Sequence, residues 1–446
     1  MKPVFVQSQN YDKMSAVVPT GRVERLLKIG SIATGIAGNV AIDGVRTIAN
    51  GKRPNMAQLL LTPTNTLRFT NGLSHMRGAA LKLGQMLSMD SGLVLSDELT
   101  TILSQLRNNA RHMPPKQLQN VLNSEWGAGW YSRFSRFDVR PFAAASIGQV
   151  HFAKTHDGRT MAIKVQYPGV RASIDSDVDN IAALMRLPGL VPKKMNLKPL
   201  LSEAKRQLHT EADYSAEAQH LSSFGRLLTK SNSFTVPEVH DDFCTSQILA
   251  MDYLEGKPLE TLEDANQIVR NEVATSLIDL VLKELFVFNV MQTDPNLANF
   301  RYNSKTKRVV LLDFGAVQPI APELSADFRT LARIALNGEE EEMRSAMQRI
   351  GYFDSNTAQH HKDLILSMFK LAVSPLKQET PFNFGNNELL EQLRDMGLNI
   401  GKERELANIP PAATLFLHRK IGGMYLMATK LRAHVNLRPM IEAYMI

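Results

Sequence analysis

The sequence predicts a bilobal α+β fold: a small β-rich lobe with inserted helices, a larger helical lobe after it, and a helical extension ahead of both. Three observations predict it. Two short β-rich runs, "IGQVHFAKT" and "TMAIKVQY", flank "HDGR", whose Asp157-Gly158 pair is a strong hairpin signal. Helical periodicity then interrupts the β pattern over 171–187 and again through "LKPLLSEAKRQLHTEADYSAEAQHLSSFGRLL". Beyond Gly256 the chain reads as helix except for the short apolar runs "NFRYN" and "RVVLLDFG". The expected boundaries are 1–136 for the extension, 137–255 for the β-rich lobe with a helical insert at 168–200, and 256–446 for the helical lobe.

Taken in order, the first 60 residues read as helix, broken by "NGKRPN" at 50–55. From Asn71 to Asp90, the residues Leu73, Met76, Ala80, Leu83 and Leu87 recur at alternating steps of three and four, which marks an amphipathic helix. Another helical stretch starts at Ser96, "MPP" at 113–115 breaks it, and "KQLQNVLNSEWG" carries the next. "LPGLVPKK" separates the inserted helices, and "FTVPEVHDDFCTSQILAMDYLEG" reads as two or more strands ending in a turn at Gly256.

Composition narrows the function classes. A chain of 446 residues with 44% apolar and 21% charged residues can bury a substantial core. Its single cysteine, Cys244, excludes an internal disulfide framework and fits a reducing compartment. The net charge of +7 comes from basic residues spread along the chain, without a Lys/Arg block interleaved with aromatics, so nucleic acid is not an expected partner. The run "IGSIATGIAGNVAI" has 14 residues, too few to span a bilayer, and the N-terminal segment reads as neither signal nor transit peptide. A cytoplasmic placement is expected, peripheral on an inner membrane in a bacterium, or on the matrix side of a mitochondrion in a eukaryote.

Four features fit one nucleotide site. In "QTDPNLANF", Asp294 and Asn299 have the spacing of the protein-kinase catalytic loop D-x-x-x-x-N, whose Asp orients or deprotonates the nucleophile and whose Asn holds a metal ion. In "VVLLDFGA", a buried strand delivers Asp313 into the D-F-G context that binds Mg²⁺. In "AIKVQY", Lys164 stands where a kinase presents the lysine for the α and β phosphates. The helix bearing "HTEADYSAEAQH" supplies an anion for that lysine. Asp213 and Glu217, four apart, share a helix face, and Glu217 is the expected partner of Lys164, leaving Glu211 for another cation.

Two flanking segments complete this reading. Gly148 and Val150 occupy the last two fixed positions of a G-x-G-x-x-G-x-V loop, with Ala143 and Ala145 in place of its first two glycines. Alanine keeps its N–H but loses positive φ, so Ala143, Ala144, Ala145 and Ser146 are expected to form a stiffer phosphate loop that disfavours transfer to a protein. In "AMDYLEG", Met251 guards the pocket, and the backbone of Asp252, Tyr253 and Leu254 is expected to meet the adenine edge. After Gly315 a helix follows within about ten residues, and neither an A-P-E motif nor a long phosphosite-bearing loop is read there, so the usual peptide-docking platform is expected to be missing.

With these residues in view, the chain resembles the UbiB family of atypical kinase-like proteins, in the subgroup of the mitochondrial members and their bacterial relatives. "LKLGQMLSMD" carries K-x-G-Q, "EAD" matches E-x-D, and "AAASIGQVH" matches the alanine-rich loop. "QTDPNLANF", "LLDFGA" and "FLHRKIGGMYLMATKLRA" complete the likeness. The resemblance implies a bilobal protein-kinase-like fold and support of ubiquinone biosynthesis. It also implies ATP or ADP with magnesium (or manganese) as cofactors, and biosynthetic enzymes or lipid-like precursors as partners at a membrane surface. Lys82 and Gln85 would gate the site, Lys82 meeting Glu211 and Asp213. Unlike the membrane-anchored bacterial members, this sequence shows no hydrophobic C-terminal tail, so only peripheral membrane contact is expected. The competing readings are a small-molecule phosphotransferase, whose relatives lack K-x-G-Q and the alanine loop, and a nucleotide-binding pseudokinase scaffold.

Overall fold

The computed structural model describes residues 112–185, 198–402 and 411–445, with isolated positions between 34 and 83. The helix expected from Ser96, the breaks at 50–55 and in "LPGLVPKK", and Gln85 lie outside the described residues. Of the helix expected over 71–90, Gly78–Ala80, Lys82 and Leu83 are described and helical. The chain divides into two compact units, Met1–Gln219 with Glu238–Tyr253, and His220–Pro237 with Leu254–Ile446.

In the first unit, Pro115 starts α1 (Pro115–Trp126), where a proline lacks only an N–H that has no helical partner anyway, and Gly127 follows it at φ 82°. An antiparallel sheet comes next. Its strands are β1 (Phe134–Phe137), β2 (Ala143–Ala144), β3 (Gly148–Thr155), β4 (Thr160–Gln166) and, from later in the chain, β6 (Ile248–Asp252). The order is β1-β3-β4-β6, with β2 also paired to β3. Gly158, at φ 94°, turns β3 into β4 as its sequence signal predicts. Helices α2 (Val170–Met185), α3 (Lys198–Glu211) and α4 (Tyr214–Leu227) come between β4 and β6, α4 running on into the second unit.

Strand alternation assigns the two faces of the sheet. Ala153, Met161, Ile163, Val165, Ile248 and Ala250 join Met113, Leu118, Leu122 and Phe134 in one core. The opposite face carries Val150, Lys164 and Leu249 at one level, and Phe152, Ala162 and Met251 at the next. Leu249 belongs to a second core with Ile147, Val178, Ala204, Leu208 and Tyr214. Lys164 thus stands on this second face between apolar Ala162 and buried Gln166, whose Nε2 donates to the Ala212 carbonyl at 3.1 Å.

The first core also holds a histidine that alternation alone does not flag. His151 is fully buried, and its Nδ1 lies 2.9 Å from the Asp138 carbonyl, to which it donates. Its Nε2 therefore accepts from Gln149 Nε2 at 2.9 Å, and Gln149 Oε1 accepts from the Met113 N–H. Every group is matched only while the imidazole is neutral. Burial pushes its pKa down to about 4, His112 adding to the effect and the Asp138 carbonyl opposing it. A histidine that resists protonation in the fold but not when unfolded contributes stability that is lost as pH falls from about 6.5 through about 4. The loss reaches about 3 kcal/mol. Urea unfolding between pH 7 and 4 should therefore show a flatter pH dependence for His151→Gln than for the wild type, and equal slopes would refute this.

The second unit contains β5 (Phe234–Thr235), β7 (Lys257–Pro258), β9 (Phe300–Asn303) and β10 (Arg308–Leu311) in a sheet of order β5-β10-β9-β7. Helix α5 (Gln267–Lys283) buries Val273, Leu277 and Leu280 and passes into one π turn, Glu284–Phe288. Asn289 at φ 51° ends that turn and starts β8 (Val290–Gln292), which pairs with β11 (Val317–Pro319). Helices α6 (Pro322–Asn337), α7 (Glu340–Ile350), α8 (Gln359–Val373), α9 (Glu388–Lys402) and α10 (Ala412–Lys430) follow. Among the described residues no helix is long and apolar enough to cross a membrane.

Candidate functional site

In the first unit the alanine loop is a tight β-turn. Ala143 pairs with Val150 and Ala144 with Gln149, and the Ala145 N–H donates to the Gly148 carbonyl at 2.9 Å. That donor is committed. Among the described residues, the N–H groups of Ser146 and Ile147 have no partner and remain available at the tip. The tip is pinned from below, because Ile147 is buried and its carbonyl accepts from the Tyr167 N–H at 2.9 Å. Gly148 is required by packing, since a Cβ there would sit 2.5 Å from the Val165 carbonyl oxygen and 2.7 Å from Tyr214 Oη.

Lys82 is buried, and its Nζ lies 2.5 Å from Glu211 Oε1. The other oxygen of Glu211 accepts from Ser146 Oγ at 2.9 Å. One carboxylate therefore joins the K-x-G-Q lysine to the alanine loop, a link through Ser146 that sequence reasoning missed. The same helix meets the loop again at Gly78, whose Cβ would come within 2.8 Å of Ile147 Cγ2. Asp213 stands at the start of α4, where its Oδ1 accepts from the Ala216 N–H at 3.1 Å, with Arg171 3.8 Å away. This is an N-capping arrangement.

Lys164 Nζ lies 2.8 Å from both oxygens of Glu217, with side-chain exposures of 10% and 2%. Glu217 occupies the first turn of α4, where the helix dipole favours an anion. The ammonium also stands 5.0 Å from the centre of the Tyr214 ring. At the end of β6, Met251 is buried and pairs with Ala162. The Asp252 N–H donates to Glu238 and the Tyr253 N–H to Thr160, while the Tyr253 ring packs edge-on against Phe142 and Phe152. Of the three expected hinge residues, Leu254 is the one whose N–H has no backbone partner among the described residues.

In the second unit, pairing of β8 with β11 holds the two acidic loops together, with the Thr293 N–H donating to the Ala316 carbonyl at 2.7 Å. The Asp294 carbonyl accepts from Asn299 Nδ2 at 3.1 Å, from Gln292 Nε2 at 2.8 Å and from the Asn296 N–H at 2.8 Å. Asn299 thus has its amide nitrogen engaged and its Oδ1 turned away from that bond. The Leu312 N–H donates to the Asn299 carbonyl at 3.0 Å, which places Asn299 beside the residue before Asp313. Asp313 Oδ1 accepts from the Gly315 N–H at 3.0 Å. Phe314 is buried against Phe224 (ring centres 4.7 Å apart), and its carbonyl accepts from His220 Nδ1 at 3.2 Å.

A carboxylate and an amide oxygen are hard donors that suit Mg²⁺, which takes few protein ligands and fills its shell with phosphate oxygens and water. Among the described residues no cluster of three or more His, Cys, Asp or Glu forms a metal site, so a cation at Asn299 and Asp313 would depend on phosphate oxygens. Sequence reasoning gave no role to Arg419, although Arg419 Nη2 lies 3.7 Å from Asp294 Oδ1. The sequence also contains Ala321-Pro322-Glu323, a correction to the reading that no A-P-E stands here. It starts α6 six residues after Gly315 (321 − 315), which leaves no room for a long activation loop.

A β-rich sheet presenting a lysine–glutamate pair, followed by D-x-x-x-x-N and D-F-G loops on paired strands, defines a kinase-like phosphotransferase fold. The family model "ABC1 atypical kinase-like domain" matches residues 105–347, and the chain belongs to this family, the UbiB family. Over 425 residues it is 38% identical to the mitochondrial atypical kinase COQ8 of Saccharomyces cerevisiae, covering 95% of this chain and 84% of that protein. It is 33% identical to the mitochondrial atypical kinase COQ8B of Rattus norvegicus, covering 95% and 80%. A solved structure, the Rv3197–erythromycin complex from Mycobacterium tuberculosis, shares the fold with a TM-score of 0.61 and 24% identity, covering 86% of this chain and 96% of that one.

Proposed function

We propose that this atypical kinase binds ATP with Mg²⁺, turns it over without acting as a general protein kinase, and in doing so supports ubiquinone biosynthesis at a membrane surface. The observations that carry the reading are the Lys164–Glu217 pair at 2.8 Å in the first unit and, in the second, Asp294, Asn299 and Asp313 on two loops that adjoin one another. In this reading Lys164 contacts the α and β phosphates, and the loop from Ala143 to Gly148, with Val150, lines the nucleotide. Leu254 offers its N–H to adenine beside Met251 and Tyr253. Asn299 and Asp313 hold the metal, which neutralises the charge developing on the transferred phosphoryl group. Asp294 orients the nucleophile, whether water or an acceptor hydroxyl. Lys82, tied to Ser146 through Glu211, gates the loop together with Gln85, and Asp213 supports that gate as the cap of α4.

The short span between Gly315 and α6 favours a small or lipid-like acceptor over a peptide. Purified protein should release phosphate from ATP in the presence of Mg²⁺, and anionic liposomes or quinone-like phenols should raise the rate. Ubiquinone should fall and its precursors accumulate in cells deleted for the gene. Absence of hydrolysis under all these conditions would favour the scaffold reading, and unchanged quinone levels would refute the biosynthetic role.

A further inference from the structure

Helix α10 reaches the catalytic loop at three positions. Arg419 stands 3.7 Å from the Asp294 carboxylate, and Gly423 packs so closely that a Cβ would lie 2.3 Å from Pro295 Cγ. Between them, Lys420 is fully buried, with its Nζ 3.0 Å from Glu284 Oε2, 3.3 Å from Glu284 Oε1 and 3.1 Å from Gln292 Oε1. Gln292 is the last residue of β8 and passes the contact on, since its Nε2 donates to the Asp294 carbonyl at 2.8 Å. Glu284 Oε1 also accepts from the Gln292 N–H at 3.3 Å.

The donor chemistry gives this chain a direction. An ammonium can only donate, so it holds the Gln292 side chain with Oε1 toward Lys420 and Nε2 toward Asp294. A neutral hydrogen-bonding residue in place of Lys420 would accept either orientation of that amide, and the reversed one sets two oxygens against each other at Asp294. Burying a full ion pair costs desolvation that an apolar pair of similar volume would avoid. Stability alone therefore does not explain Lys420.

We propose that Lys420 is a positioning residue, which orients the Gln292 amide and thereby fixes the backbone at Asp294 for phosphoryl transfer. This rests on the reading of Asp294 as the catalytic-loop acid. A misplacement of about 1 Å at a reacting centre can cost about a hundredfold in rate.

The test uses the full chain. Lys420→Met combined with Glu284→Gln leaves no buried charge and removes the orienting donor, whereas Gln292→Met leaves the ion pair and cuts the link. Active nucleotide sites are titrated in each, so that loss of folded protein is not counted as loss of rate. Both variants should lose about tenfold or more in kcat for ATP hydrolysis while KM for ATP stays within about twofold. Wild-type kcat in Gln292→Met overturns the positioning role, as does wild-type kcat in the double variant. Asp294→Asn is run alongside, and full turnover there instead overturns the catalytic reading of the loop, and the proposal with it.

Discussion

Asp313→Asn should lower ATP hydrolysis by about two orders of magnitude or more without unfolding the protein. The substitution keeps an oxygen that can accept from the Gly315 N–H, now at 3.0 Å, so the turn after Leu312 is preserved. What disappears is the negative charge that, in the proposed reading, would face the cation. A carboxylate's contribution to a metal that stabilises transition-state charge amounts to several kcal/mol, and each 1.4 kcal/mol is a factor of ten. Binding should divide accordingly: affinity for ADP without metal stays within about threefold, while the enhancement by Mg²⁺ disappears. Hydrolysis within about threefold of the wild type would remove Asp313 from the metal site. The same variant in cells separates turnover from scaffolding, because a nucleotide-independent scaffold would still support quinone synthesis.

The contacts legible in the sequence are those with a local cause. Asp157-Gly158 announces its hairpin because the turn demands positive φ, and the D-F-G and D-x-x-x-x-N spacings lie within single loops. The expectation that Asp213 and Glu217 share one helix face is corrected, because α3 ends at Glu211 and α4 begins at Tyr214. The structure does bring Glu217 to Lys164 across 53 residues of sequence. Asp213 carried a local signal as well: an aspartate just before a helix is a capping residue, and the structure places it there. Contacts made between distant residues left no such trace. Ser146 and Glu211 are 65 residues apart, and Lys420 and Gln292 are 128 apart, so no periodicity or spacing connects either pair. His151 was hidden for another reason, since it lies between Val150 and Phe152 in a β-rich run and faces inward beside Gln149, where nothing local marks it as buried and neutral.

These long-range contacts share a chemical logic. Glu211 spends one oxygen on a lysine and the other on the loop that lysine is read to gate. Glu284 turns both oxygens to Lys420 and shares Oε1 with the Gln292 N–H, in the strand that leads into Asp294. Burial and Lys420 act on it in opposite senses, and burial dominates, raising the Glu284 pKa above the ordinary carboxylate range. In each case a buried cation reaches a loop of the candidate site through an intermediary with fixed donors and acceptors. Such networks specify one geometry only while every member is satisfied.

Lys164 and Glu217 form the pair where stability and chemistry can be separated most cleanly. Lys164→Met should destabilise the protein by about 3–5 kcal/mol, because it removes the ammonium bonded to both oxygens of a carboxylate that is 2% exposed. Glu217→Leu should cost less, since Lys164 keeps a 10% exposed side chain and its place 5.0 Å from the Tyr214 ring. The double variant replaces both charges with apolar groups of similar size and should recover most of the loss. Urea unfolding of all four proteins measures the coupling, expected at about 2 kcal/mol or more. Additivity within about 0.5 kcal/mol would mean that the pair contributes nothing as a pair. Hydrolysis should follow a different pattern. Lys164→Met and the double variant both lack the ammonium proposed to contact the phosphates, so both should lose about a hundredfold or more in kcat/KM. A double variant that regained its stability and also its turnover would show that Lys164 holds the fold and leaves the phosphates to other residues.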